Sequence, residues 1–350
     1  MIMIFLKRKM LLILIAMLSF LNGCGSGLKL DDGAGSGGVG SPPVFDVYVA
    51  GYESNGAKNV AKIWKNGVAT SLTDGTQNAR GNSVFVSGGD VYVAGYESNG
   101  AKNVAKMWKN GVATSLTDGT QDATGDSIFV SEGDVYVTGY ELLGANPVAK
   151  VWKNAVATSL TDGTQAAVGT SVFVSDGDVY VAGYEGSPLS VAKVWKNGVA
   201  TSLTDGSQAA LGYSIFVSAT DVYVSGGESN GTKVVAKIWK NGVPTSLSDG
   251  SNNVLGNSVF VSGSDVYTTG YENAIGGGLR VWKNGVAIST DAGQASMGYS
   301  IFASATDVYV AGTESNGIRF VAKMWKNGVS TSLADGSETS MGLSIFVVAR

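Results

Sequence analysis

Three observations predict an all-β fold of seven four-stranded antiparallel blades closed into a ring, a seven-bladed β-propeller. Seven tryptophans, all the chain has, fall at Trp64, Trp108, Trp152, Trp195, Trp239, Trp282 and Trp325, with spacings of 44, 44, 43, 44, 43 and 43 residues. Each repeat carries four strand signals separated by turn residues. A strand missing from the first repeat reappears as a surplus strand at the C-terminal end.

The repeat reads approximately S-V-F-V-S-G-G-D-V-Y-V-A-G-Y-E-S-N-G-x-x-V-A-K-x-W-K-N-G-V-A-T-S-L-T-D-G. Its strand signals are S-V-F-V (Ser83 to Val86), D-V-Y-V-A-G-Y (Asp90 to Tyr96), V-A-K-M-W-K (Val104 to Lys109) and V-A-T-S-L (Val112 to Leu116). Asn-Gly joins the third strand to the fourth, and this pair suits a two-residue turn in which both residues have positive φ. The third repeat has Asn154-Ala155 instead. Forcing an alanine into that geometry costs about 1 kcal/mol, so strain or a changed turn is expected there. The turn sets a register with Lys65 facing Val68, Trp64 facing Ala69 and Ile63 facing Thr70. Trp64 then lies on one face of the sheet, and Ala61, Ile63 and Leu72 on the other. A sheet that is apolar on both faces needs a neighbour on each side.

The chain ends predict how the ring shuts. The first repeat starts at Asp46 without an S-V-F-V strand, and residues 343–348 supply one with no second strand after it. In a ring the last strand completes the first blade, whereas an open stack would need capping units. The D-V-Y-V-A-G-Y segment resembles the repeat of bacterial seven-bladed propeller families with a VYVxG core strand. That resemblance covers residues 46–350 and implies the same fold.

Composition bounds the rest. Gly supplies 50 of 350 residues and Pro only 5, while 44% of residues are hydrophobic, a mix suited to short strands and tight turns. Lys7, Arg8 and Lys9 precede an apolar run, Met10 to Leu21, that ends in Leu21-Asn22-Gly23-Cys24. The pattern fits a signal peptide, and its end resembles the lipobox of bacterial lipoproteins, with Asn22 where a small or aliphatic residue is usual. The resemblance implies a signal peptide over 1–23, a lipidated Cys24 and a Gly/Ser-rich tether over 24–45. By the same resemblance, Gly25 after the cysteine implies the outer membrane where the organism has one, with exposure at the cell surface as one orientation. Loss of the three basic residues takes the net charge from −4 to −7. An acidic chain with scattered lysines has no footprint for nucleic acid. No histidine is present and Cys24 is the single cysteine. Ser-His-Asp and Cys-His triads and internal disulfides are therefore excluded.

Comparison of the seven copies locates a candidate site. The turns between first and second strands, and between third and fourth, barely change. The two loop sets on the opposite face do change, and rigid scaffolds usually carry function on such loops. The candidates near the central opening are Arg80, Asp122, Asp126, Tyr213, Asn253, Tyr299 and Glu338. Three repeated features read as structural. Lys-x-Trp-Lys is read as tryptophan packing between blades with lysines reaching past it to water. The T-D-G aspartates, Asp74 among them, are read as turn residues, so no metal or cofactor is implied. Glu53 and its six counterparts recur in every copy. The expected function is a non-enzymatic, membrane-anchored binding or scaffold propeller, monomeric, with a protein or polysaccharide partner. Alternatives are a subunit of an envelope assembly complex and a carboxylate-based carbohydrate-active enzyme.

Overall fold

The structure is a computed structural model that describes residues 45–186, 188–273, 277–290 and 295–350. The expected signal peptide, Cys24 and nearly all of the tether lie outside the described residues. Within them the chain forms seven four-stranded antiparallel sheets and no helix. Blade 1 is ordered Ser340–Ala349, Phe45–Ser54, Asn59–Lys65, Val68–Ser71, so the C-terminal strand is the inner strand of the first blade. Blades 2 to 7 follow along the chain, with inner strands Ala79–Ser87, Ala123–Ser131, Ala167–Ser175, Ala210–Ser218, Asn253–Ser262 and Ser296–Ala303.

Ring closure is carried by register. Val47 pairs with Val347, Tyr48 with Phe346 and Val49 with Ile345. Arg350 Nε then donates to Asp46 Oδ1 at 2.7 Å. The arginine and Asn66 hold the Asp46 carboxyl well below the usual carboxylate range. The closing strand is longer than the expected 343–348, and it takes Phe45 as part of its partner strand rather than leaving that residue in the tether. Every inner strand likewise starts about four residues before its S-V-F-V signal. A β-bulge ahead of the serine breaks the two-residue alternation there, which hides the first half of the strand from pattern reading.

Two circuits run around the axis. Phe85, Phe129, Phe173, Phe216, Phe260, Phe302 and Phe346 touch in turn and back to the start, with centroids 4.6–5.8 Å apart. Tilted aromatic pairs of this kind contribute roughly 0.5–1.5 kcal/mol each beyond their burial. Beside them, the hydroxyl of each S-V-F-V serine accepts a backbone N–H from the next inner strand at 3.1–3.3 Å. Ser83 takes Ile128, Ser127 takes Val172 and so on around to Ser344, which takes Val84. The serines are wholly buried, so each bond satisfies two groups that would otherwise be costly to desolvate.

The repeated polar residues have structural partners. In blade 1 the turn residue Asn66 accepts the Val47 N–H at 2.9 Å and donates to Asp46 at 2.7 Å. Lys65 pairs with the same aspartate at 3.2 Å and sits 5.1 Å from the Tyr48 ring centroid. Each of the other six blades repeats this clamp. The other lysine of Lys-x-Trp-Lys pairs with the repeated glutamate, as Lys62 does with Glu53 at 2.7 Å, and Arg280 replaces it opposite Glu272. The tryptophans between these lysines are 0–3% exposed and so are interblade packing, as expected. Asp74 closes its own turn by accepting the Thr76 N–H and hydroxyl at 2.9 and 2.7 Å. Six outer strands are exposed along their whole length, and Val286, Ala287 and Ile288 of the seventh are exposed as well.

Two predictions follow from the closure and the turns. Deleting residues 343–350 removes the inner strand of blade 1 and one link of each axial circuit. A fall in Tm of about 10 °C or more is expected, and an unchanged Tm would refute non-covalent closure. In the third repeat the turn is retained rather than changed, with Ala155 at φ 67°. Ala155→Gly should therefore stabilise the protein by up to about 1 kcal/mol in urea unfolding, because glycine adopts positive φ without steric cost. A lower urea midpoint would show that the turn holds no strain.

Candidate binding face

One glycine per blade creates the candidate site. A Cβ on Gly51, Gly95, Gly139, Gly183, Gly226, Gly270 or Gly312, in the second strand of each blade, would lie 1.7–2.0 Å from a carbonyl oxygen of the inner strand. These carbonyls belong to Met341, Arg80, Thr124, Val168, Leu211, Leu255 and Met297. Only glycine admits so close an approach, and that approach forms the bulge. The bulge leaves one inner-strand residue per blade without a cross-strand partner: Leu343, Asn82, Asp126, Thr170, Tyr213, Asn257 and Tyr299. These are among the most diverse positions of the repeat, lying between an invariant Gly and an invariant Ser.

All seven bulged side chains are buried. Three fasten one blade to the next. Asn82 donates to the Gly125 carbonyl at 3.1 Å, Thr170 to Gly212 at 2.8 Å and Asn257 to Gly298 at 2.8 Å. Two are tyrosines, and they obey a size rule. The second strands carry Tyr52, Tyr96, Tyr140, Tyr184 and Tyr271 in five blades, but Gly227 and Thr313 in blades 5 and 7. Those two blades are the ones with Tyr213 and Tyr299 at the bulge. Each blade thus places one tyrosine at this level, on one strand or the other. Together with Leu343, the tyrosines Tyr52, Tyr213 and Tyr299 make a second apolar cluster, against which Leu211, Leu255, Met297 and Met341 pack.

Asp126 is the only charged side chain that is buried among the described residues. Thr124 donates to its Oδ1 at 2.6 Å and Asn82 at 3.4 Å. Burial outweighs both bonds and pushes the carboxyl up to about 7. Its charge in turn adds to the burial that raises the phenols of Tyr96, Tyr140 and Tyr184.

The other expected site residues divide by role. Arg80 lies on the inner strand of blade 2, its guanidinium 4.6 Å from the Tyr52 ring centroid and 6.0 Å from that of Tyr96. Asp122 and Asn253 pin loops. Asp122 accepts the Asn103 N–H at 2.9 Å and pairs with Lys102 at 3.1 Å, and Asn253 accepts the Val234 N–H at 2.9 Å. Glu338, in the connection from blade 7 to blade 1, pairs with Arg319 of blade 7 at 3.7 Å. Arg80, Asp126, Tyr213, Asn253 and Tyr299 have the sequence pattern of loop residues but lie on strands, because each inner strand begins before its bulge. Sequence reasoning passed over Asn82, Thr170 and Asn257. The signal that finds them is a residue that varies in chemical type between two residues that do not. A cleft on the flank of blade 7 is lined by Glu314, Lys323 and Asp335, which are that blade's copies of the repeated ion pair and turn aspartate.

Comparison with protein-family models and with curated proteins gives no match. The role of this face therefore rests on its own side chains.

Asp126 makes stability depend on pH in a defined direction. The folded protein holds a proton to about 7, whereas the ordinary value is 3.8. The stability contributed by this group is full below the lower value and is lost as pH rises through the upper one. Asp126→Asn keeps the shape, removes the titration and presents an amide like those of Asn82 and Asn257. The variant should gain on the wild type by a few kcal/mol between pH 4 and pH 8, measured by urea unfolding. A constant difference across that range would refute the assignment.

Proposed function

We propose that this protein is a non-enzymatic binding or scaffold propeller of the cell envelope, anchored through lipid on Cys24 and engaging a protein or polysaccharide through its variable face. A propeller of this kind fits a binding or scaffold role. The observation that carries the finer reading is the division between the two faces. One face is held by the same Asp-Asn-Lys-Tyr clamp in every blade. The other presents side chains that differ from blade to blade on inner strands that carry the same bulge in every blade. Phe45 and Arg350 both lie at the clamped face, where the second strand of blade 1 starts and the closing strand ends. A tether leaving there keeps the variable face clear of the attachment point. The non-enzymatic reading is supported by the carboxylates. The repeated glutamates are tied to lysine or arginine in all seven blades. Hydrolysis of a glycosidic bond by the usual route needs two carboxyl groups about 5–9.5 Å apart in different environments. Asp126 has no second buried carboxyl beside it among the described residues.

The test uses the 45–350 ring, whose two ends pair with each other. It is probed on a glycan array and against solubilised envelope proteins. Replacing the variable loops of blades 2, 5 and 7 with those of blade 4 should weaken any ligand found by at least about tenfold. Glu132→Lys on the clamped face should leave it unchanged. Binding that survives the loop replacement would overturn the proposal.

A further inference from the structure

One hydroxyl of the repeat has changed its place in the last blade. In blades 1, 2, 3 and 5 the N–H of Ala61, Ala105, Ala149 or Ala236, on the third strand, donates to a hydroxyl just beyond the outer strand. The acceptors are Thr73, Thr117, Thr161 and Ser248, at 3.2–3.3 Å. Blade 7 has Ala334 at that position, and the N–H of Ala322 donates instead to Ser340 at 2.9 Å. Ser340 starts the closing strand, where the inner strands of blades 2 to 5 start with Ala79, Ala123, Ala167 and Ala210. A threonine–alanine pair has thus become an alanine–serine pair. The buried N–H keeps an acceptor, and the rim of the blade loses a hydroxyl and a methyl group. Blade 6 uses Ser296 in the same way at 3.1 Å, and its rim lies outside the described residues. A cleft of about 220 Å³ lies at the vacated place in blade 7. Ala334 lines it together with Val321 and Lys323, which flank the Ala322 N–H, and Glu314, Ser332 and Asp335 add to its wall. Glu314 leads into one of the variable loops, so the cleft lies on that side of the ring. Its groups form donor and acceptor pairs. Lys323 and Glu314 meet at 2.6 Å and neutralise each other. Beyond that contact the ammonium has two more N–H groups and the carboxylate a second oxygen. Asp335 accepts the Ser337 N–H and hydroxyl through one oxygen, which leaves its other oxygen available to the cleft. An anion placed here would meet two carboxylates, and a cation would meet the ammonium. Adjacent hydroxyl groups, which donate and accept at once, suit both partners of the pair. The volume is below the roughly 300–1,000 Å³ of pockets for drug-sized ligands, and so suits a single ring.

We infer that this cleft holds one neutral sugar unit, with neighbouring hydroxyls on Lys323 and Glu314. The inference rests on the polysaccharide arm of the proposed function and narrows it to a single unit bound at the rim of blade 7. The ion pair recurs in every blade, and the exchange at Ala334 and Ser340 is what makes room beside it.

Protein-observed NMR on the 45–350 ring tests this with the methyl glycosides of glucose, galactose and mannose, and with glycine as a zwitterionic control. At least one glycoside should give saturable shifts at the Lys323 and Ser332 amides with a Kd of about 1 mM, and glycine should give none there. Glu314→Gln should weaken that binding about tenfold or more. Ala334→Thr combined with Ser340→Ala restores the pair found at blade 1 and should abolish the shifts while the ring stays folded. The reverse exchange at blade 1, Thr73→Ala with Ala79→Ser, should add a second set of shifts at Lys62 and Ser71. The inference is overturned by the absence of saturable glycoside shifts at these amides, by glycine binding in their place, by shifts that survive the blade 7 exchange, or by a blade 1 exchange that adds no site. Should the glycosides fail while loop replacement still abolishes binding of a glycan or protein, this inference falls and the binding-face reading stands. Should loop replacement leave partner binding intact while the glycoside shifts follow the blade 7 exchange, the reading of the face falls and the cleft stands.

Discussion

Each inner strand hands a backbone N–H to the serine hydroxyl of the strand before it, and the circuit has no free end only because Ser344 takes the N–H of Val84. The rest of the molecule depends on that closure. The serines sit at zero exposure, so an interrupted circuit would strand a buried hydroxyl and a buried N–H. The phenylalanine circuit shares the same seven strands, with Phe346 contributed by the chain end. Blade 1 has no inner strand of its own and borrows one whose residues lie 287 (Glu53 to Ser340) to 304 (Phe45 to Ala349) positions from their partners. A contact so distant in the chain is entropically expensive to form and is held afterwards by nine cross-strand pairs and the Arg350–Asp46 contact.

Symmetry at the axis and asymmetry at the mouth arise from the same few residues. The invariant serine keeps the circuit and the invariant glycine admits the carbonyl. The bulge between them frees one side chain per blade from cross-strand pairing. That position tolerates Asn, Asp, Thr, Tyr or Leu because its demands are local, and a neighbouring change can meet them. The tyrosine exchange shows this directly. Tyr213 is accommodated where the second strand has Gly227, and a Cβ on Gly227 would already come within 3.0 Å of Leu255 on the next blade. Repeats that are near-identical elsewhere have thus been differentiated in compensated pairs, and packing is preserved while the surface chemistry changes.

Much of the fold was legible because its determinants are local and repeated seven times. The tryptophan period, the Asn-Gly turn and the surplus C-terminal strand each point to one geometry, and the register predicted from Asn66-Gly67 is the register observed. The site was less legible, and the reason is the bulge. It shifts alternation by one residue, so Arg80 and Tyr299 look like loop residues when read by period. The burial of Asp126 was also invisible. Aspartate in a variable stretch reads as exposed, and only the packing of blade 2 against blade 3 encloses it, with Asn82 reaching across. Asp122, four residues earlier, was indistinguishable from it in sequence and turns out to pin a loop. The difference between the two is entirely one of interblade packing.

The clamp explains why differentiation was confined to one face. On the clamped side a single aspartate satisfies an asparagine amide and a lysine, while the same asparagine caps the N–H of the second strand. Changing the aspartate takes a partner from both the asparagine amide and the lysine, and changing the asparagine takes one from the aspartate and from the strand N–H. On the variable side the loops are held mostly by backbone and Asx turns, as where Asn55 accepts the N–H groups of Ala57 and Lys58. Such turns need one asparagine and leave the residues between free to vary. Substitution on the variable face can alter surface chemistry at little cost to the ring, and the same change on the clamped face would be felt as lost stability. Phe45 joins at the clamped side, so the chain enters the ring opposite the face free to diversify.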